Sequence, residues 1–180
     1  IQIIWVNLFT GSLPALAFAF DENMDRKKYF KNESKHIFTK EVKVLTFGIG
    51  VLSSLFLFIL YYFLVQNSDS VAIARSIFFV CFASYILVIS FSFRSLYNPL
   101  FSYRVFSNKK LNWSIVVAVA ILILTMTVPF MRNVFELAPL PVSSLPLVAL
   151  WLVINVLLVE GAKYILHIRN HSRMSAKVVV

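Results

Sequence analysis

Val44 to Val65 is a run of 22 residues without a charge, and it decides the class of the chain. A helix needs about 20 apolar residues to cross a hydrocarbon core of about 30 Å. Only helices and closed barrels satisfy their backbone groups there. The pattern repeats: Leu111 to Met131 is uncharged, and Val71 to Phe93 holds only Arg75. Ile1 to Phe20 and Pro146 to His167 are further candidates, the latter charged only near its end by Glu160 and Lys163. Hydrophobic residues make up 59% of the chain, against about 45–50% in soluble domains. The sequence therefore predicts an integral membrane protein, an all-α bundle of five transmembrane helices. Its spans are expected at about 1–20, 44–65, 71–93, 111–131 and 146–167, with a connector at 21–43 and a tail at 168–180.

The net charge of +9 is not a nucleic-acid footprint, because 15 of the 17 basic residues fall on alternate segments: the connector, the loop after the third span and the C-terminal end. Basic residues gather on the cytoplasmic side of a membrane. The sequence thus places residue 1 outside and the C-terminus in the cytoplasm, in a plasma or inner membrane. The expected partner is the lipid bilayer, and nucleic acid is excluded. Ile1 is not a methionine, and no charged n-region or cleavage site precedes the first apolar run. Residue 1 is therefore expected to lie inside a longer protein, and an odd number of spans points the same way. Cys81 is the single cysteine, so no disulfide within the chain is possible.

Other polar and aromatic residues carry expectations of their own. Trp5 and Trp151 fall near one boundary and Trp113 near the other, as in an aromatic belt. Pro139 and Pro141 end helix between the last two spans. Gly48, Gly50, Ser53 and Ser54 suit close helix packing. Arg75 can snorkel and pair with Asp69, and Asn155 suits an interhelical hydrogen bond. Glu160 and Lys163 are i, i+3 partners with an anchoring role, and Arg132 and Glu136 form an i, i+4 pair.

The first span is unusual. In "WVNLFTGSLPALAF", Asn7, Thr10, Gly11, Ser12 and Pro14 sit where a bilayer most demands helix. Asn7, Thr10 and Gly11 are spaced i, i+3, i+4 and would share a helical face. Pro14 has no N–H, which would leave the Thr10 carbonyl free in an α-helix, and Gly11 lowers the cost of leaving helical geometry. The helix is accordingly expected to be broken near its middle. Side-chain and carbonyl oxygens at that depth are the ligands hard cations take, and broken helices line ion sites in membranes. A purely structural kink, with Asn and Thr as interhelical glue, accounts for the same residues, and spacing leaves both readings open.

"IIWVNLFTGSLPALAFAFD" resembles the sixth transmembrane helix of type II P-type cation-transporting ATPases, which reads approximately Trp-x-Asn-Leu-x-Thr-Asp-Gly-Leu-Pro-Ala. "ARSIFFVCFASYILVISFSFRS" looks like the eighth helix, and "VFSNKKLNWSIVVAVAIL" like the loop and ninth helix, where Ser-Asn-x-x-Leu recurs. "VPFMRNVFELAPL" resembles the connection from ninth to tenth helix, and "VEGAKYILHIRN" the tenth helix with its Glu-x-x-Lys. The resemblance runs through essentially the whole chain in order. It implies the membrane part of an ATP-driven cation pump, covering the sixth to tenth helices. ATP, Mg²⁺ and the phosphorylated aspartate would belong to cytoplasmic domains upstream, and upstream membrane helices and these domains would be partners. This chain holds no Asp-Lys-Thr-Gly sequence and no Gly-rich phosphate loop. No catalytic residue or cofactor site is expected in it, and it would hydrolyse ATP only as part of the whole pump.

Carried over by position, Asn7 and Thr10 match residues whose oxygens coordinate cations in the family, with Ser12 as a weaker candidate. The next position should be an aspartate, and here it is Gly11. The eighth-helix acid of the calcium pumps falls at Ile86. Neutral oxygens weaken the field that compensates a dehydrated divalent ion. The resemblance with these departures implies a pump that does not move Ca²⁺ by the usual two-site arrangement. The alternatives are a monovalent cargo, acids on upstream helices, or a transport-inactive interaction module derived from a pump. The family's Arg-Pro-Pro-Arg-like stretch is also missing from the connector, where Lys27 and Lys28 are candidates for coupling to a cytoplasmic domain.

Overall fold

In the computed structural model, residues 1–20, 43–94, 100 and 104–178 are described. They form helices and turns, with no strand among them. Five helices are long and apolar enough to cross a membrane. Helix α1 is Gln2–Ala19. Helix α2 starts as the π-helical turn Val44–Ile49 and continues as Gly50–Asn67. Helix α3 is Val71–Ser92, α4 is Lys109–Thr127, α5 is the short Pro129–Val134, and α6 is Leu145–Val178. The connector around 21–42, with Lys27 and Lys28, lies outside the described residues.

The boundaries follow from side-chain capping. Ser70 Oγ accepts the Ile73 N–H at 3.3 Å and starts α3. Asn108 Oδ1 accepts the Leu111 N–H at 2.9 Å and starts α4. Pro129 opens α5, where its missing N–H costs nothing. Helix α5 ends on a left-handed residue, Glu136 at φ 52°. The Leu137 N–H reaches the Arg132 carbonyl at 2.8 Å and the Glu136 N–H reaches Asn133 at 3.2 Å, a Schellman turn. Helix α6 runs to Val178, so the expected tail continues as helix for most of its length. At about 1.5 Å per residue, its 34 residues outlast the bilayer core.

Helix α3 is the hub. Half of its membrane window is buried inside the bundle, against 22–28% for the other four. Small residues allow this: Ala74, Ser76, Cys81 and Ala83 are completely buried and let neighbours close in. Several hydroxyls within the spans donate back to their own helices, as with Ser76 to Ala72, Ser90 to Ile86 and Thr125 to Ile121, each 2.8 Å.

Several expectations need correcting. Trp5 and Trp151 are 2% and 6% exposed and belong to the core rather than a lipid-facing belt, whereas Trp113 is exposed. The Trp5 ring meets Phe79 of α3, and Trp151 belongs to the same apolar cluster. Of the small residues on α2, Ser53 is buried, but Gly48, Gly50 and Ser54 face outward, and nothing stands within 4 Å of a Cβ built on Gly50. Arg75 pairs with Glu136 at 3.7 Å, and not with Asp69. Among the described residues no ion pair joins Glu136 to Arg132. Asn155 is buried, yet its Nδ2 donates back to Trp151 on its own helix at 2.8 Å and its Oδ1 has no partner. It bridges no helices.

Candidate cation site on the first membrane helix

The interruption in α1 takes the form of a change in winding. Gln2–Trp5 is α-helical, Val6–Gly11 is π-helical, and Ser12–Ala19 is α-helical again. A π turn bonds i to i+5 and admits one extra residue per turn. This turn lies just before Pro14, whose missing N–H leaves a gap in the helical ladder. Gly11 keeps right-handed helical geometry at φ −88° and ψ −54°, so the glycine is not needed for a reversal of the chain.

This winding rearranges the candidate ligands. Both the Ser12 N–H and the Ser12 hydroxyl bond to the Asn7 carbonyl, the hydroxyl at 2.9 Å. Asn7 and Ser12 therefore stand together on an exposed face, with Gly11 half-buried beside them. Thr10 differs from its expected place. It is fully buried, and its hydroxyl donates to the Val6 carbonyl at 2.7 Å. The i, i+3 spacing that aligns residues in an α-helix no longer holds in a π turn, which aligns residues five apart.

The opposite side of α1 is fixed. Trp5 Nε1 donates to Thr125 Oγ1 on α4 at 3.1 Å. The Trp5 ring meets Phe79 of α3 edge-on at 5.0 Å and Phe9 at 5.3 Å. Gln2 Nε2 donates to the Phe135 carbonyl at 2.8 Å, which ties the helix to the end of α5. One face of α1 is thus held against α3 and α4. The face with Asn7, Leu8 and Ser12 is open.

Ile86 lies half-buried on α3 and packs against the main apolar core. No cluster of three or more His, Cys, Asp or Glu residues occurs among the described residues. The oxygens that α1 offers are neutral, and a side chain at position 11 has room: a Cβ there would meet the Val6 carbonyl at 3.9 Å, an ordinary contact.

The buried charged pair between α3 and α6 is closer knit than its sequence suggests. Lys163 is 1% exposed and donates to the Ser92 carbonyl at the end of α3 and to Glu160 Oε1 at 2.8 Å. Glu160 Oε2 accepts the Leu100 N–H at 2.6 Å. Arg94 Nη1 donates to the carbonyls of Arg104 and Val105 at 2.9 and 3.0 Å. The i, i+3 spacing of Glu160 and Lys163 revealed their pairing, but the backbone partners 60 and 71 residues away left no trace in it.

Residues 1–165 match the family model described as cation transporting ATPase, C-terminus. The chain belongs to that family. Similar proteins include calcium-transporting ATPase 1 of Bacillus cereus, 32% identical over an alignment of 153 residues covering 75% of this chain and 17% of that protein. Another is the calcium-transporting ATPase of Bacillus subtilis, 29% identical over 142 residues, 76% of this chain and 16% of that protein. The chain thus spans about one-sixth of the length of these relatives. Five helices long and apolar enough to cross a membrane fit an integral membrane member of the cation transporting ATPase C-terminal family.

Proposed function

We propose that this chain supplies the sixth to tenth membrane helices of a type II pump, and that the open face of α1 forms one wall of its cation path. The observation that carries this reading is the π-helical turn of Val6–Gly11, which brings Asn7 and Ser12 to an exposed face in a family of cation-transporting ATPases. Asn7 contributes its amide oxygen there and Ser12 its hydroxyl. The Thr10 hydroxyl, buried and bonded to Val6, holds the turn in shape and reaches a cation only if the turn rewinds. The remaining ligands come from helices of the whole protein that face α1. ATP and Mg²⁺ are used by its cytoplasmic domains, and the basic segments set the orientation with the C-terminal end inside.

Gly11 and Ile86 leave the site without the two carboxylates expected of a calcium pump. Affinity for Ca²⁺ follows the charge of the ligands, so the reading assigns this protein a cargo other than Ca²⁺ bound at two sites. A monovalent ion, or one held by acids on the facing helices, fits neutral oxygens. The test is cation-stimulated ATP hydrolysis by the whole protein, scanned across Na⁺, K⁺, Mg²⁺, Ca²⁺ and Mn²⁺. Asn7→Ala is expected to raise the half-saturating concentration of the stimulating ion and to leave the fold intact. High-affinity Ca²⁺ uptake that Asn7→Ala abolishes would overturn the proposed cargo.

A further inference from the structure

A groove of about 690 Å³ runs between α3, α4 and α6 under the turn that follows α5, within the range of about 300–1,000 Å³ typical of ligand sites. Its walls are apolar, with Val80, Leu87, Val119, Met126, Val148 and Leu152 among them, and Arg132 is its one charged lining residue. No residue of α1 or α2 contributes, so the groove is separate from the open face of α1. The wall on α4 extends from Ile115 to Thr127, about 18 Å at 1.5 Å per residue. That is close to the depth of one leaflet, about half of a 30 Å hydrocarbon core. Arg132 lies just beyond this wall, on α5.

Charge completes the pattern. Arg132 Nε is buried and has no hydrogen-bond partner. Glu136, four residues further on, is held by Arg75 instead and leaves the guanidinium without a counter-ion at that contact. A leaflet-deep apolar trough ending in a lone guanidinium matches one amphiphile in its surroundings. We propose that the groove binds a phospholipid, with its phosphate on Arg132 and an acyl chain laid along α4. Arginine suits this because its fork meets phosphate oxygens through charge-assisted hydrogen bonds. Because α3, α4, α6 and the α5 turn all border the groove, the bound lipid joins these elements.

The test is native mass spectrometry of the whole protein in detergent, titrated with phosphatidylglycerol and, separately, with diacylglycerol of the same chains. The unmodified protein is expected to retain one phosphatidylglycerol through activation that strips the others, and diacylglycerol about tenfold less well, the scale of a charge-assisted contact. Arg132→Gln is expected to bring phosphatidylglycerol down to the level of diacylglycerol. Val119→Trp, which fills the trough from a side chain already 39% exposed, is expected to abolish retention of both with the thermal transition unchanged. Equal retention of phosphatidylglycerol by the unmodified protein and Arg132→Gln overturns the proposal. So does a Val119→Trp protein that keeps its lipid, or one that loses dimers rather than lipid, since a second copy would then be the occupant.

Discussion

The polar residues of α1 and those where α3 meets α6 sit at opposite ends of a scale. On α1, Asn7 and Ser12 are exposed and bond only within their own helix. At the junction of α3 and α6, Lys163 is buried and joins Ser92 of α3 to Glu160, which in turn holds the Leu100 N–H of the following loop. The first arrangement leaves oxygen atoms available to something outside the chain. The second commits its charged groups to each other and to distant backbone. Polarity inside a membrane therefore separates into oxygens offered and oxygens consumed, and hydrogen-bond partners tell them apart where composition does not.

The comparison breaks most visibly at Lys163. Lys163→Met leaves the Glu160 carboxylate, 11% exposed, without its cation. Losing one partner of a buried pair costs about 3–5 kcal/mol, and thermal unfolding in detergent should show a loss of that order. Adding Glu160→Gln should recover much of it, since the amide oxygen still accepts the Leu100 N–H. A single Lys163→Met protein as stable as the parent would mean that the buried pair does not hold the two helices together.

A smaller effect is expected where α1 is fastened. Trp5→Phe removes the donor to Thr125, and polar contacts between membrane helices are worth about 0.6 kcal/mol on average and up to about 1.7. A double-mutant cycle with Thr125→Val measures that coupling, and a value near zero would detach α1 from α4 energetically. At the α5 turn, Glu136→Gly relieves a left-handed backbone costing about 1–2 kcal/mol and gives up a well-exposed ion pair worth about 0–1 kcal/mol. A net gain of about 1 kcal/mol or less is expected in the same assay. Smallest of all is Asn7→Ala, which should change stability by less than about 0.5 kcal/mol. A larger loss would make Asn7 a structural residue and place it with the consumed oxygens.

Much of the fold is legible in the sequence because membrane crossing depends on length and charge alone. The runs 44–65 and 71–93 sit within a few residues of α2 and α3. What escaped is orientation about each helix axis. The spans lack a strong polar face, so nothing in the pattern says that Trp5 turns inward or that Gly50 turns outward. The disturbance in α1 was readable from Gly11 and Pro14, but its form was not. Residues that weaken an α-helix permit unwinding and a π turn alike, and the choice depends on packing against α3 and α4. The Schellman turn at Glu136 was hidden because a glutamate stands where glycine is the usual signal.

The central claim, a cation wall on α1 built from neutral oxygens, is tested most directly by Gly11→Asp in the whole protein, with Ca²⁺ binding measured at equilibrium. Position 11 accepts a side chain without strain or close contact. If the wall lies on the cation path, the added carboxylate should raise Ca²⁺ affinity by about tenfold or more, with the thermal transition unchanged. Unchanged Ca²⁺ affinity in a folded Gly11→Asp protein would contradict the claim and return the π turn to the role of a structural kink.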